Sequence, residues 1–431
     1  MVIGTLYGLV GAIELVAPDL LGNIGWLVFG RIRTVHTNLV VFGFLTPALL
    51  SVGHFVVPRL LRTQLFSEKL GIFIVCLWNV IVAAIFITLS IGLSQGREYA
   101  EAIWEIDILV AIAFALIFIN MIMTIRNRQE PLLYVSVWYI TAGIILTLIV
   151  YAIGNVIWVP GAGALTGIPD AVILWFYGHN VLGLLLTPLA VGIAYYVIPS
   201  ATRTPLYSHT LSLAGFWSLL VLYSHIGTHH LIQVPAPTWL KVVSIVGSIG
   251  MVIPVMIVLI NFWYTVKGKM RTIHENIGAK FVFTGTVFYL FTCIQGPIQA
   301  LPQVQRLTHF SNWVVAHAHM GILGFSGMVA IGGIYFILPK MTGRSIYSKT
   351  LAEFQYWMIL IGLVGFMVVL TTVGLVQGNS WLNGETIYRI LPQIHNYNIV
   401  RAGLGVLIVT GAIIGLYNMV RSIFFNLGET A

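Results

Sequence analysis

The chain has 431 residues, of which 58% are hydrophobic and 8% are charged, whereas about 25% of the residues in a typical soluble domain are charged. This composition excludes a soluble enzyme and predicts an all-α integral membrane protein. The formal net charge of +8 is explained by membrane topology, and no nucleic-acid partner is predicted.

Twelve segments are apolar and long enough to cross the ~30 Å hydrocarbon core of a bilayer as helices. They follow one another along the whole chain, which predicts a single transmembrane domain over residues 1–431. The first segment lacks the basic leader of a cleavable signal peptide. The predicted helices are α1 (1–18), α2 (34–60), α3 (68–94), α4 (103–125), α5 (133–157), α6 (170–199), α7 (208–231), α8 (237–266), α9 (277–301), α10 (311–339), α11 (350–376) and α12 (398–425).

Basic residues predict the orientation of these helices. The connections after α2, α4, α6, α8 and α10 carry most of the Lys and Arg residues, and the opposite connections carry fewer. Because short cytoplasmic loops are enriched in Lys and Arg, the first set is predicted to face the cytoplasm. Both termini are then cytoplasmic as well.

Six histidines are predicted to share the outer half of the membrane. They lie at the outer ends of α2, α7 and α10, and roughly 14 Å into α6 at the helical rise of 1.5 Å per residue. One polar residue in a membrane helix often only bonds to a neighbouring helix, but six at one depth favour a functional site. The six are His36, His179, His229, His230, His317 and His319.

The stretch NWVVAHAHMGILG on α10 contains two of these histidines, His317 and His319. Positions two apart on a helix point about 200° apart, so the two rings face different partners. Neutral imidazole is a common ligand for haem iron and copper. One ring with His36 would give a six-coordinate electron-transfer haem, and the other would give a five-coordinate haem. The remaining three histidines would hold a second metal.

Five blocks in register resemble the catalytic subunit of haem-copper oxidases, most closely the cbb3-type branch. They are FGRIRTVHTN on α2, REYAEAIWEIDI at the start of α4, WFYGHN on α6, LYSHIGTHHL on α7 and AHAHMGILG on α10. The resemblance covers nearly the whole chain and implies the haem-copper oxidase subunit I fold. It implies that His317 is the proximal ligand of the high-spin haem, and that His36 and His319 ligate the low-spin haem b. The implied copper ligands are His179, His229 and His230.

The resemblance also implies the reaction. Such a subunit reduces O2 to water with electrons from cytochrome c, with proton uptake and pumping, and a b-type high-spin haem is expected. The implied setting is the cytoplasmic membrane of a bacterium or archaeon, together with other small membrane subunits. The sequence contains no CxxCH haem-attachment motif, so c-type cytochrome subunits or a soluble cytochrome c must deliver the electrons.

A nitric oxide reductase is the alternative within the same superfamily. In those enzymes a glutamate follows the first metal-binding histidine by one helical turn, whereas the turn after His179 reads NVLG. Three imidazoles without a carboxylate suit copper better than non-haem iron. In the cbb3-type branch, a tyrosine six residues before the paired histidines is covalently joined to the α6 histidine. Tyr223 matches that position and would supply an electron and a proton.

Three serine and tyrosine residues at the inner end of α7 are candidates for a proton path. Ser208 and Ser212 fall on the same helical face as Tyr223, and Tyr207 lies at the cytoplasmic end. The alternative is that small residues in membrane helices only permit close packing.

The outer sequence REYAEAIWE carries acidic residues that are either solvated loop charges or a binding site. By resemblance, Glu98 matches a carboxylate that binds calcium beside the haem propionates, and Glu101 matches one in a buried polar cluster. A hard cation would offset the clustered negative charge there. Arg33 is expected to pair with a haem propionate.

One departure from the cbb3-type pattern lies on α9, where this chain has IQGP in place of FEGP. Gln295 therefore replaces a carboxylate expected near the proximal histidine. If that carboxylate makes the imidazole more basic, its loss should raise the potential of the high-spin haem.

Two functions without catalysis stand as further alternatives. A bis-His membrane electron carrier would explain His36 and His319 but leave four histidines and Tyr223 without a role. A transporter would be expected to show broken helices and repeats, and we detect no convincing internal repeat in the sequence. Oxygen reduction is therefore the favoured function.

Overall fold

The computed structural model describes residues 1–21, 24–157 and 166–425, and the helices dominate this part of the chain. The chain groups into two compact units, which we call the terminal unit, Met1–Val40 with His274–Ala431, and the central unit, Val41–Ile273. The single catalytic domain over 1–431 stays a prediction. Residues 426–431, predicted to be cytoplasmic, lie outside the described residues.

Eleven of the twelve predicted spans are long and apolar enough to cross a membrane within the described residues. α1 is helical for only 13 residues, because Pro18 follows shortly and helices end before proline. α12 starts eleven residues earlier than predicted, because the polar stretch LPQIHNYN is helical although it lowers the hydropathy. The observed bounds are α1 Val2–Glu14, α2 Phe29–Leu60, α3 Glu68–Ile91, α4 Trp104–Arg126, α5 Val135–Val156, α6 Gly167–Thr202, α7 His209–Leu231, α8 Thr238–Val266, α9 Ile277–Gln299, α10 Asn312–Thr342, α11 Lys349–Leu382 and α12 Ile387–Phe425.

Several of these helices are not regular α-helix throughout, and three of them share one irregularity. A π-helical segment follows the predicted ligand histidine in α2 (Val41–Leu45), α6 (Val181–Leu186) and α10 (Met320–Gly327). Wide π turns change the direction of the side chains that follow them and are frequent at functional sites. The same irregularity therefore accompanies histidines on three different helices.

Three connections, after α2, α6 and α10, have the same design. Each has a proline near the end of one helix, a residue with positive φ four positions later, and a serine nine positions after the proline that caps the next helix with its Oγ. The positive φ lies at Arg62, Arg203 and Gly343. The capping residues are Ser67, Ser208 and Ser348.

An asparagine completes each of these turns, and it lies on the helix that comes after the capped one. Asn261, for example, accepts a hydrogen bond from the Ser208 backbone N–H at 3.0 Å and donates one to the Ser208 carbonyl at 2.8 Å. The matching pairs are Asn120 with Ser67 and Asn418 with Ser348. The chain therefore does contain an internal repeat. It was missed because only the turn and cap positions recur, while the lipid-facing residues between them vary freely among apolar types.

Candidate functional sites

His36 is held against α1 in the terminal unit. Its Nδ1 lies 2.7 Å from the carbonyl oxygen of Gly4, which can only accept, so Nδ1 carries the proton and Nε2 carries the lone pair. A Cβ at Gly8 would lie 2.7 Å from the ring, so glycine is needed there. α1 has 13 helical residues and is shorter than a full membrane span, yet it fixes both the orientation and the tautomer of this ring.

His319 lies beside His36 in the same unit. The two ring centroids are 6.1 Å apart and the planes are 16° from parallel. His319 Nδ1 donates to the Val315 carbonyl at 2.9 Å, so its Nε2 also carries the lone pair. The separation leaves room for a metal–nitrogen bond of about 2 Å on each side. The two residues therefore fit a haem iron with two histidine ligands.

Arg401 on α12 is a cation close to these two rings that sequence reasoning did not single out. Its guanidinium donates to Asn312 Oδ1 at 3.3 Å and lies 5.5 Å above the ring of Phe366, which itself contacts His319. Its buried Nε has no hydrogen-bond partner among the described residues. Haem carries carboxylates, and a buried donor of this kind suits a bound anionic group. The available signal was an arginine inside the apolar α12 segment.

His317, two residues before His319, contacts a different helix, as the helical geometry predicts. Its Nδ1 lies 3.1 Å from Oε1 of Gln295 on α9. With the Nδ1 proton donated to this amide oxygen, Nε2 is again the ligating nitrogen. Gln295 therefore lies where it was predicted to act, against the imidazole of the candidate proximal ligand. Arg33, the other residue predicted near a haem, has an exposed side chain.

The central unit contains a group of three histidines. One ligand nitrogen from each of His179, His229 and His230 lies within 4.8 Å of the others, and His179 Nδ1 is 3.2 Å from His230 Nε2. The described residues contain no other group of three His, Cys, Asp or Glu side chains at such distances. Three neutral imidazoles in this arrangement fit copper by ligand type and ligand number.

The pair His229 and His230 lies on a tight turn rather than on α-helix. The α-helical part of α7 ends at Tyr223, and a short 3-10 segment, Gly227–Leu231, carries the pair. His230 stacks on Trp175 with ring centroids 3.9 Å apart, and a side chain at Gly227 would overlap the Trp175 backbone. Glycine thus allows the turn to pack directly on α6.

Tyr223 stacks on His179, with ring centroids 4.6 Å apart and planes 18° from parallel. Its ring also covers Gly183, where any Cβ would overlap the tyrosine. Gly183 is the last residue of the NVLG turn that lacks the glutamate. A covalent bond between the two rings would require them to leave this stacked arrangement so that two ring-edge atoms meet.

The predicted proton-path residues have structural partners at the inner end of α7. The Ser208 hydroxyl accepts from the Leu211 N–H, and the Ser212 hydroxyl donates to the His209 carbonyl at 2.6 Å. Tyr207 is 55% exposed and stacks on Tyr264. The capping role of Ser208 is shared with its two counterparts in the repeated turns.

A carboxylate that sequence reasoning did not assign follows the outer acidic block in the sequence. Asp107 is fully buried on α4 and accepts hydrogen bonds from Tyr151 at 2.6 Å and from Gln95 at 2.5 Å. Glu101 is buried nearby in the chain and Glu98 is half-buried. The signal for Asp107 was an acidic residue within an apolar span.

Comparison with known proteins shows a family match over most of the chain. The sequence model of the family described as cytochrome c and quinol oxidase polypeptide I matches residues 1–407. The cytochrome c oxidase subunit 1 homolog of Agrobacterium tumefaciens (strain T37) is 32% identical over 98% of this chain and 81% of its own length. The cbb3-type cytochrome c oxidase subunit of Stutzerimonas stutzeri is 31% identical over 98% of this chain and 92% of its own.

The fold is also similar to a solved structure, a cryo-EM structure of a heme-copper terminal oxidase dimer. The TM-score is 0.77 at 18% sequence identity, and the match covers 99% of this chain and 82% of the other. At this identity, the likeness concerns the arrangement of helices alone.

Proposed function

The chain belongs to the cytochrome c and quinol oxidase polypeptide I family, and from this premise we propose which residues carry out its chemistry. It is the catalytic subunit of a haem-copper oxidase, an oxidoreductase of the cytochrome c oxidase type. The predicted subunit I fold and the resemblance to the cbb3-type branch are confirmed. Membership of the family implies haem and copper as cofactors.

We propose that His36 and His319 ligate the low-spin haem b through their Nε2 atoms. Three observations support this: the near-parallel rings, the two Nδ1 protons donated to carbonyls, and the buried Arg401 guanidinium beside the rings. These contacts fix the ligands before the haem binds, which suits a carrier that must accept and release electrons with little rearrangement. Arg33 is proposed as a second, more exposed partner for the haem carboxylates.

His317 is proposed as the proximal ligand of a b-type high-spin haem. Gln295 orients its ring by accepting the Nδ1 proton. Because an amide is neutral, it draws this proton less strongly than a carboxylate would and leaves the imidazole a weaker donor to iron. We therefore expect a higher potential for this haem than a glutamate at position 295 would give.

The observation that carries the proposed function is the group of three histidines with Tyr223 stacked on His179. When bound, haem iron and copper supply the open coordination position and the electrons for dioxygen reduction. His179, His229 and His230 bind the copper. The Tyr223 hydroxyl gives up a proton and its ring gives up an electron, so one more reducing equivalent is held within the protein.

Three finer assignments complete the proposal. Protons would reach Tyr223 from the cytoplasm past Tyr207, Ser208 and Ser212, which lie at the inner end of the helix that carries it. Calcium would bind at Glu98, with Glu101 in the adjoining polar cluster, because buried carboxylates favour a compensating cation. We also propose that this proton uptake is coupled to pumping.

As a membrane-embedded subunit I, the protein works with cytochrome c and O2. We propose that the electrons come from c-type cytochrome subunits or a soluble cytochrome c, and that other small membrane subunits complete the enzyme. The proposed location is the cytoplasmic membrane of a bacterium or archaeon, with both termini on the cytoplasmic side. The inner loops rich in Lys and Arg support this orientation.

Nitric oxide reduction is the weaker candidate. It would require a carboxylate one turn after His179, and a side chain at Gly183 would overlap the Tyr223 ring. Neither a bis-His electron carrier nor a transporter agrees with membership of an oxidase family.

The test is a metal analysis of the purified complex, with haem, copper and non-haem iron counted per copy of this chain. We expect two b-type haems for each copper in this chain, after the haem of any c-type subunit is subtracted. A preparation with both haems that holds non-haem iron and no copper would instead indicate the nitric oxide branch. A preparation with only one haem and no second metal would indicate an electron carrier.

A further inference from the structure

Helix α8 contacts the turn that carries the paired histidines. Ser248 on this helix is 2% exposed, and its Oγ lies 2.7 Å from Nδ1 of His229. The same Oγ lies 2.7 Å from the backbone carbonyl oxygen of Ser244. No sequence pattern had indicated either serine, because an isolated serine in an apolar helix has many other roles.

The two contacts of Ser248 determine where the protons lie. A carbonyl oxygen can only accept, so the single hydroxyl proton of Ser248 is donated to Ser244. The contact with His229 must then be made by a lone pair of Ser248, which accepts the Nδ1 proton of the imidazole. This arrangement leaves the lone pair of His229 on Nε2.

We propose that Ser248 is a positioning residue for copper, which holds His229 in the tautomer and ring orientation that offer Nε2 to the metal. The inference rests on the proposed copper site. Metal-binding histidines generally donate their other N–H to a partner, and loss of that partner typically lowers metal affinity by 10–100-fold. Ser248 supplies that partner here, and its own proton is held by a backbone atom that no mutation removes.

A second contact from α8 acts on the backbone of the same turn. The Ser244 hydroxyl donates to the Ile226 carbonyl at 2.5 Å, and a side chain at Gly247 would approach Ile226 closely. Helix α8 therefore holds the turn in two ways. Ser244 bonds to the backbone of the turn, and Ser248 bonds to the imidazole of His229. A serine-to-alanine substitution at one position or the other removes one contact and leaves the other.

The test compares Ser248→Ala with two matched variants in the purified complex. Ser244→Ala removes the backbone contact and leaves the imidazole contact in place. Ser218→Ala removes a hydroxyl on α7 that contacts two backbone carbonyls of its own helix, Ala214 at 2.7 Å and Gly215 at 3.3 Å. Copper and haem per chain are measured after dialysis against increasing concentrations of a copper chelator. Light transfers carbon monoxide to the reduced copper, and the infrared C–O stretch of the bound molecule then reports directly on the copper ligands.

We expect Ser248→Ala to release copper at a 10–100-fold lower free chelator concentration, with unchanged haem content and a shifted C–O stretch. Ser218→Ala should match the parent protein, and Ser244→Ala should release less copper than Ser248→Ala without a shift of the stretch. The inference would be overturned if Ser248→Ala retained copper as well as the parent protein does. It would also be overturned if Ser244→Ala lost as much copper as Ser248→Ala and neither variant shifted the C–O stretch. Absence of copper from the parent protein would instead contradict the proposed function.

Discussion

At the scale of single residues, the ring of Tyr223 fills the space that a side chain at position 183 would need. A glutamate at position 183 and the observed position of the Tyr223 ring exclude each other. The missing glutamate and the tyrosine are therefore one structural feature. Tyr223 also stacks on His179, which makes it the only phenol we assign to the copper site.

We predict that Tyr223→Phe keeps both haems and the copper, because the ring volume is retained and no metal ligand is removed. Oxygen turnover should nevertheless collapse, since phenylalanine has no hydroxyl proton to give and is not oxidised at an accessible potential. Oxygen consumption, haem spectra and copper content of the purified variant check this. Peptide mass mapping of the parent protein should show residues 179 and 223 joined with loss of two hydrogens. Turnover near the parent rate, with no joined peptide in the parent, would contradict the role.

The six histidines were predictable from the sequence, and most of their partners were not. Imidazoles recurring at one membrane depth are conspicuous because ionisable residues are rare in apolar helices. In contrast, His36 is oriented by the carbonyl of Gly4 and His229 by the hydroxyl of Ser248. Every residue has a backbone carbonyl, and serine is common, so neither partner leaves a sequence signal. Gln295 and Tyr223 were recognised in advance, because each occupies a position of a known pattern.

At the scale of helices, length and apolar character predicted eleven of the spans, but their irregularities were not predictable. The π segments after His36, His179 and His319 keep the apolar composition of their surroundings. The end of regular α-helix at Tyr223 is likewise hidden in an apolar run. Hydropathy measures how well a segment dissolves in lipid, whereas the helix type depends on packing between neighbours.

Helix α1 packs against His36, the candidate haem ligand, at Gly8. We predict that Gly8→Ala disturbs or abolishes the low-spin haem spectrum, since the added methyl would lie 2.7 Å from the His36 ring and must displace it. The high-spin haem should be retained. Gly403→Ala on α12 is the matched control, because a Cβ there meets nothing within 4 Å. Reduced-minus-oxidised spectra of both purified variants measure the effect, and an unchanged low-spin haem in Gly8→Ala would show that α1 does not seat His36.

At the scale of the whole molecule, the repeated turns link the internal repeat to membrane orientation. Each turn combines a proline, a positive-φ residue and a serine cap, and each carries an exposed arginine. These are Arg62, Arg203 and Arg344. A chain that crosses the membrane four times between successive copies returns each turn to the same side. The repeat therefore predicts that the three turns lie on one side of the membrane, and the distribution of basic residues predicts that this side is the cytoplasmic one.

We predict that all three turns face the cytoplasm and that the connections containing Arg306 and Glu385 face outwards. Single cysteines in the connecting loops test this, at the half-buried Glu385 and at four exposed arginines, in a background where Cys76 and Cys293 are replaced by serine or alanine. A maleimide that cannot cross membranes should label Arg306→Cys and Glu385→Cys in intact cells. It should label Arg62→Cys, Arg203→Cys and Arg344→Cys only in inverted vesicles. Labelling of any one turn on the opposite side from the other two would contradict the four-span spacing of the repeat. Labelling of all three in intact cells would reverse the orientation and place the proposed proton entry at Tyr207 outside the cytoplasm.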